Sequence, residues 1–283
     1  MLTTLKKEDF YKYVDFAYHL GLNLKKSAYP TFTDGIKTKE DFINRALKSY
    51  KTENEEILLF KMNNKIEGWI HYYALPEDDY ISLCAFNVDH YIEKAIDEFI
   101  SYISYKYSGC TLYFGLPTEN KDAISHLKQL CFEKQEECNV DVLLFNNYVP
   151  LKEEMETIRI TRDNYSDFEV LHKVHDEDMY WNNERIKEEV EKWDIFIIKE
   201  NNQPLGTIYY YCLDSFMEIF GVDYYNNQYD ERLFKALLTK SLNEGKKDGM
   251  NSLTYFNDDI EHKIISQLGF HHVSRYVLYT KVI

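Results

Sequence analysis

The chain has 283 residues, nearly twice the usual domain length of roughly 150, so two domains are expected. A composition of 45% hydrophobic and 29% charged residues suits a globular chain and excludes wholesale disorder. The net charge of −15 repels polyphosphates, which argues against nucleic acid as a partner and favours cationic ligands.

At the N-terminus, Lys6, Lys7, Glu8 and Asp9 intervene before an apolar core can form, so no signal peptide is expected. Residues 9–20 and 39–50 read as helical segments behind a leading strand. Residues 57–62 are a short apolar run ending at Asn63-Asn64. Asparagine tolerates positive φ, so a hairpin turn is expected there. The returning strand passes through Gly68, and a glycine inside a strand marks a bulge or a close backbone approach. A third strand follows at residues 80–86. Next comes a helix with Ile92, Ala95, Ile96, Phe99 and Ile100 at three-four spacing. A strand at 111–114, a short helix at 120–130 and a final strand complete the set.

Between residues 147 and 156, Pro150 and Lys152-Glu153-Glu154 break the pattern, which sets the expected domains at 1–148 and 156–283. Beyond the break the same order recurs. Helical segments are expected at 165–174 and 183–193, an apolar run at 195–200, a turn at Asn201-Asn202 and a strand through Gly206. A strand at 217–222 and a helix bearing Leu233, Ala236, Leu237 and Leu242 follow, then a strand at 252–256, a helix at 258–268 and a last strand. At a shift of 138, residues 56–75 and 194–213 share nine identities in twenty positions, Gly68/Gly206 and both Asn-Asn pairs among them. The chain is therefore an internal duplication. Mixed strand order with helices on both faces makes each copy an α/β domain.

Few residues advertise chemistry. No stretch approaches the ~18 apolar residues of a membrane span, so no membrane partner is expected. The five cysteines (Cys84, Cys110, Cys131, Cys138, Cys212) are odd in number and lack a C-x-x-C pair. That argues against a disulfide framework or a structural zinc and makes a reduced cytoplasm the expected compartment. His71 aligns with Tyr209, and His271 and His272 follow Phe270 near the last strand; none has a cysteine or serine placed for a nucleophilic triad. The run His175-Asp176-Glu177-Asp178 reads as a solvated acidic loop or an amine-attracting rim. Four successive polar residues cannot all converge on one ion, so no metal is expected there. Tyr180 and Trp181 beside it suit either an acceptor wall or helix packing.

The chain resembles the GNAT superfamily of acyl-CoA-dependent N-acyltransferases, as a tandem of two such folds over nearly its whole length. The residues that carry this are Asn120-Lys121-Asp122-Ala123-Ile124-Ser125-His126-Leu127 with Leu130-Cys131-Phe132, and Gln267-Leu268-Gly269-Phe270 at the matching place in the second copy. Both are similar to the family pattern N-x-x-A-I-x-L-Y-x-x-x-G-F. The resemblance implies two tandem GNAT-like domains, each a mixed, splayed central sheet flanked by helices. It also implies acetyl-CoA held where two parallel strands part, with its pyrophosphate on a glycine-containing loop that opens the next helix. Helix N-termini bind anions, and glycine lets phosphate approach the backbone. The matching segments, Asn87-Val88-Asp89-His90-Tyr91 and Asn227-Gln228-Tyr229-Asp230-Glu231, contain no glycine. Their carboxylates read either as helix caps or as groups that oppose phosphate. Where many relatives place a proton-donating tyrosine, this chain has Leu127 and Ile265.

The second copy keeps more of the pattern. By resemblance, acetyl-CoA would lie against Phe220, Gly221 and Val222 on the central strand, Gln228 and Tyr229 in the loop, and Asn257 after the next strand. Glu218 on the central strand would be the base that deprotonates the amine; the alternative is a solvated or paired strand carboxylate. The expected function is an N-acetyltransferase acting on a small amine or peptide amine, with at least one degenerate copy. The alternative is a non-catalytic tandem fold that binds a metabolite or protein. A third reading, an aminoacyl-tRNA-dependent transferase, is opposed by the charge and the lack of a basic stripe.

Overall fold

A computed structural model describes residues 1–175 and 179–283. The chain divides into two compact units, Met1–Asn139 with Val273–Ile283, and Val140–His272.

In the N-terminal unit the elements run β1 (Leu2–Thr4), α1 (Phe10–Gly21), α2 (Lys39–Lys48), β2 (Glu55–Met62), β3 (Lys65–Leu75), β4 (Tyr80–Val88), α3 (Ile92–Lys106), β5 (Thr111–Pro117) and α4 (Lys121–Gln129). β6 (Glu133–Leu144) begins in this unit and passes into the next. The C-terminal unit continues with β7 (Ile158–Arg159), α5 (Ser166–His172), α6 (Asn183–Glu188), β8 (Trp193–Glu200), β9 (Gln203–Leu213), β10 (Phe216–Tyr224), α7 (Glu231–Lys247), β11 (Ser252–Asn257) and α8 (Asp259–Ile265). β12 (His271–Val282) starts there and returns to the N-terminal unit after His272.

Both hairpins form as the duplication requires. β2 pairs with β3 and β8 with β9, around Asn63-Asn64 and Asn201-Asn202. All four asparagines hold positive φ, 49° to 67°, the geometry of a tight hairpin turn that matches strand twist. Gly68 pairs with Val88, and Gly206 with Tyr224. At Gly68 an added Cβ would lie 3.0 Å from a Val88 methyl and 3.3 Å from Phe60 Cβ, so the close approach is real. Helix starts are capped by side chains. Thr38 and Asp41 form a reciprocal capping box on α2, while Asn120, Asp230 and Asp258 cap α4, α7 and α8.

Strand order in the N-terminal unit is β1-β2-β3-β4-β5-β12, with β6 next; in the C-terminal unit β6 precedes β11-β10-β9-β8-β7. In each unit the inner strand pair, β4 with β5 and β10 with β11, is parallel. Apolar side chains bury both faces of each sheet. Phe86, Ile96, Phe99 and Phe114 pack on the α3 side, and Phe10, Phe42 and Trp69 on the α1–α2 side. Met217, Phe234, Leu237 and Leu242 match the first set, and Phe168, Trp193 and Tyr209 the second. Each such side chain contributes about 1.5–3 kcal/mol on burial.

The packing division differs from the domains expected at 1–148 and 156–283. The repeat marks where copies begin, whereas packing follows β12, which pairs with β5 from Tyr276↔Pro117 to Val282↔Thr111. Expected helices are also trimmed. The stretch 183–193 is helical only to Glu188 before a 3-10 turn leads into β8, and 258–268 ends as a 3-10 turn closed by Gly269 at φ 92°. Among the described residues, no helix is long and apolar enough to cross a membrane.

Candidate functional site: the parting strands

A sheet opens where paired strands stop pairing. In the N-terminal unit β4 and β5 are paired only from Tyr80↔Thr111 to Ser82↔Tyr113. At Cys84 a bulge shifts the register of β4 against β3, and beyond it the two strands diverge. The gap is bridged by the unit's own residues 26–29, which lie between α1 and α2. Ala28 N–H donates to the Phe86 carbonyl (3.1 Å), Tyr29 N–H to the Gly115 carbonyl (3.0 Å), and Val88 N–H to the Lys26 carbonyl (2.9 Å). Asn120 Nδ2 donates to the Ser27 carbonyl (3.0 Å). Ala28 is fully buried in the α3-side core. The Lys26 ammonium lies on the Asp89 carboxylate and donates to the Asp89 carbonyl (2.9 Å) at the approach to α3. This opening is filled by a short length of strand-like backbone.

On the α1–α2 side of the same unit, Glu55, His71 and Cys84 cluster in the interior. His71 Nε2 lies 2.6 Å from Glu55. The Arg45 guanidinium contacts Glu55 and donates to Cys84 Sγ at 2.9 Å. Burial pushes the Cys84 thiol up to about 12, so it is not a ready thiolate. The guanidinium occupies the place a bound cation would take.

In the C-terminal unit β10 and β11 pair from Phe216↔Ser252 to Ile219↔Tyr255 and then part. The matching bulge falls at Phe220. Within this unit, among the described residues, no segment bonds to β10 past the bulge as residues 26–29 do to β4. Glu218 pairs with Tyr211, and Phe220 rests on Trp193 (ring centroids 4.9 Å), so both face α5 and α6. Gly221 is required: an added Cβ would lie 2.3 Å from the Tyr209 hydroxyl. The bulge then turns Val222 toward α7 and brings Asp223 to the Glu218 face.

Asp223 is buried and accepts from His172 Nδ1 (2.8 Å) and His175 Nε2 (3.0 Å). Burial alone would raise its pKa, but the two imidazoles outweigh it and hold the carboxyl below its ordinary range. His172 Nε2 faces the Trp181 carbonyl at 3.0 Å, and the ring stacks on Phe168. Both ring nitrogens of His172 thus face an oxygen. Trp181 in turn packs on Trp193 (5.3 Å), and Tyr180 lies under the Arg185 guanidinium (4.1 Å). Asp176, Glu177 and Asp178 of the acidic run lie outside the described residues.

Gln228 and Tyr229 are exposed in the loop before α7. Asp230 is the helix cap, accepting from the N–H groups of Arg232 (2.8 Å) and Leu233 (3.1 Å). Asn257 is buried at the end of β11, where Nδ2 donates to Asp141 (2.9 Å) and to the Tyr255 carbonyl (3.0 Å). Leu127 and Ile265 are fully buried apolar residues, so neither position supplies a proton. The structure thus places Phe220, Gly221 and Val222 where β10 leaves β11, keeps Glu218 on the last paired stretch before it (Glu218↔Thr254), sets Gln228 and Tyr229 at the helix approach, and turns Asn257 toward Asp141. The sequence reading missed the Asp223–His172–His175 group, since strand alternation through the bulge places Asp223 on the wrong face.

The structure is similar to a GCN5-related N-acetyltransferase from Sphaerobacter thermophilus, with a TM-score of 0.65 at 10% identity over 99% of this chain and 95% of that one. It is similar, too, to a tandem GNAT protein from the clavulanic acid biosynthesis pathway (TM-score 0.57, 10% identity, 99% and 98% covered). The chain has a tandem GNAT fold. A GCN5-related glucosamine N-acetyltransferase region of a fungal multi-domain GH3 beta-N-acetylglucosaminidase matches as well (TM-score 0.62, 10% identity), over 99% of this chain and 38% of that one. No family model and no curated protein matches the sequence. In the terms of the GNAT fold, the parting of β10 from β11 is the opening between splayed strands, and residues 26–29 fill its counterpart between β4 and β5.

Proposed function

We propose that this chain is a GNAT-type N-acyltransferase, with acetyl-CoA as donor and a small amine or peptide amine as acceptor. In this reading the C-terminal unit carries the transfer and the N-terminal unit is degenerate. The observation that supports it is the parting of β10 and β11 beside the Phe220 bulge, set against a first copy whose own backbone fills the same place.

The donor fits the C-terminal unit in part. Phe220, Gly221 and Val222 would hold its arm along β10, with Tyr229 at the helix approach. The diphosphate fits poorly, because Asp230 already takes two N–H groups at the start of α7 and Glu231 adds a second carboxylate. When bound, acetyl-CoA supplies a thioester carbonyl open to attack by a neutral amine. The chain's own part is to orient the amine and take its proton. Glu218, on the α5–α6 face of β10, would take that proton, and His175, partly exposed and held by Asp223 on the same face, would be a second acceptor of it. The acidic sequence run at 175–178 and the charge of −15 favour a cationic acceptor.

A second reading, a non-catalytic tandem fold, is favoured by the filled first opening and the Asp230 cap. Calorimetric titration with acetyl-CoA separates the two. The acyltransferase reading expects weak saturable binding, accompanied by release of free thiol when an amine acceptor is added. No binding by the wild type or by a variant with the cap carboxylates removed supports the second reading.

A further inference from the structure

We propose that Asp141, His262 and His272 form a binding site for a divalent transition-metal ion of the zinc type. The site lies within the C-terminal unit and is independent of the acyltransferase reading. Asp141 on β6 is buried, its side chain 2% exposed, yet among the described residues it has no lysine or arginine partner. Instead, His262 Nδ1 from α8 lies 2.9 Å from Oδ2, and His272 Nδ1 from the start of β12 lies 3.4 Å from Oδ1. The two imidazole rings meet edge to face, centroids 5.1 Å apart.

This is a donor set that suits a metal centre. Two neutral imidazoles and one carboxylate suit zinc and similar borderline ions. One donor atom from each residue lies within 4.8 Å of the others, and small side-chain rotations would bring them to the roughly 3.3 Å separation of ligands around a tetrahedral ion. A second layer is present. Asn257 Nδ2 donates to Asp141 Oδ2 at 2.9 Å, orienting the carboxylate as outer partners of metal ligands do. The other end of that amide, Asn257 Oδ1, is buried with no hydrogen-bond partner among the described residues. A water carried by an ion would supply the missing donor. The imidazoles are 32% and 42% exposed, which leaves the ion a path from solvent.

Two other groups of acids with histidine or cysteine already hold a fixed cation. Arg45 lies on Glu55 in the Glu55–His71–Cys84 group, and Lys26 on Asp89 in the Glu67–Asp89–His90 group. Of these three groups among the described residues, the one at Asp141 has no lysine or arginine on its carboxylate. An ion there would tie α8 and the start of β12 to β6.

The test uses the untagged full chain stripped with chelator and titrated with zinc by calorimetry and with cobalt by visible absorption. One ion per chain is expected, with intense cobalt bands of tetrahedral type. His262→Ala and His272→Ala should each weaken binding by more than about tenfold. Because both rings are partly exposed, the variants should fold; circular dichroism checks this, and His272→Gln serves if the alanine variant does not. Lack of zinc binding at micromolar concentration by the wild type overturns the proposal. So does binding that survives in the folded double variant, which would place the ion on other ligands.

Discussion

The Asp230 side chain occupies two of the N–H groups at the start of α7, the groups a diphosphate would need. Glycine is nearly as good a cap as aspartate, within a few tenths of a kcal/mol. Asp230→Gly should therefore be nearly neutral for stability, while Glu231→Gly, inside α7, should cost up to about 1 kcal/mol; together they should tighten acetyl-CoA binding about fivefold at low salt. Unaltered affinity in the double variant would separate α7 from any donor site. Glu261 makes a second case. Burial pushes its carboxyl from an ordinary 4.5 up to about 7, against the hydrogen bond it accepts from Tyr255 at 2.7 Å. A raised folded pKa means the folded chain holds the proton more tightly. The associated stability is complete below the unfolded value and is lost as pH rises through about 7. Glu261→Gln should thus stabilise the protein at pH 8 by about 2 kcal/mol and do little near pH 4, which melting curves at the two pH values would show. At this scale the sequence was only partly readable. Glu218 and Phe220 share a face as alternation demands, but Asp223 joins them through a bulge, and the imidazoles beside Asp141 of β6 come from α8 and β12, with His262 lying 121 residues away.

Residues 26–29 behave as an unrecognised piece of strand. Their sequence, Lys-Ser-Ala-Tyr before a proline, has neither apolar alternation nor β-branched residues, so nothing local marks them as sheet-forming. The hairpins were readable for the opposite reason: Asn-Asn turns carry their backbone geometry in the residues themselves. The bonds from Ala28, Tyr29 and Val88 make a testable difference. Their amides should exchange with solvent as slowly as neighbouring strand amides, tens- to hundreds-fold slower than the amide of exposed Gly35. Fast exchange at Ala28 and Val88 would mean that the filled state is a minor one and that the first opening is accessible to a ligand. Ala28 also sets a limit on size. With the residue fully buried between β4 and β5, Ala28→Leu should overpack the core and lower stability by about 1–3 kcal/mol.

For the molecule as a whole, the duplication was plain in the sequence, since nine matched identities survive in twenty positions. The path of the last strand was not, because no local pattern says which partner a strand will choose. β12 completes the N-terminal unit through seven paired positions on β5. Deleting residues 273–283 should consequently damage the unit more distant in sequence. Hydrogen exchange measured by mass spectrometry should rise sharply in peptides covering β4 and β5, with a smaller change in those covering β8 and β9. The reverse pattern would contradict the packing division. The same path has a consequence during synthesis. A chain made from its N-terminus exposes β5 early, with its β12-facing edge unpaired, while everything from residue 118 to residue 272 is still being added. An unpaired strand edge is a place for mispairing. The first half of this protein is therefore made first and finished last, and its exposure to chaperones is set by the time the ribosome takes to complete the second half.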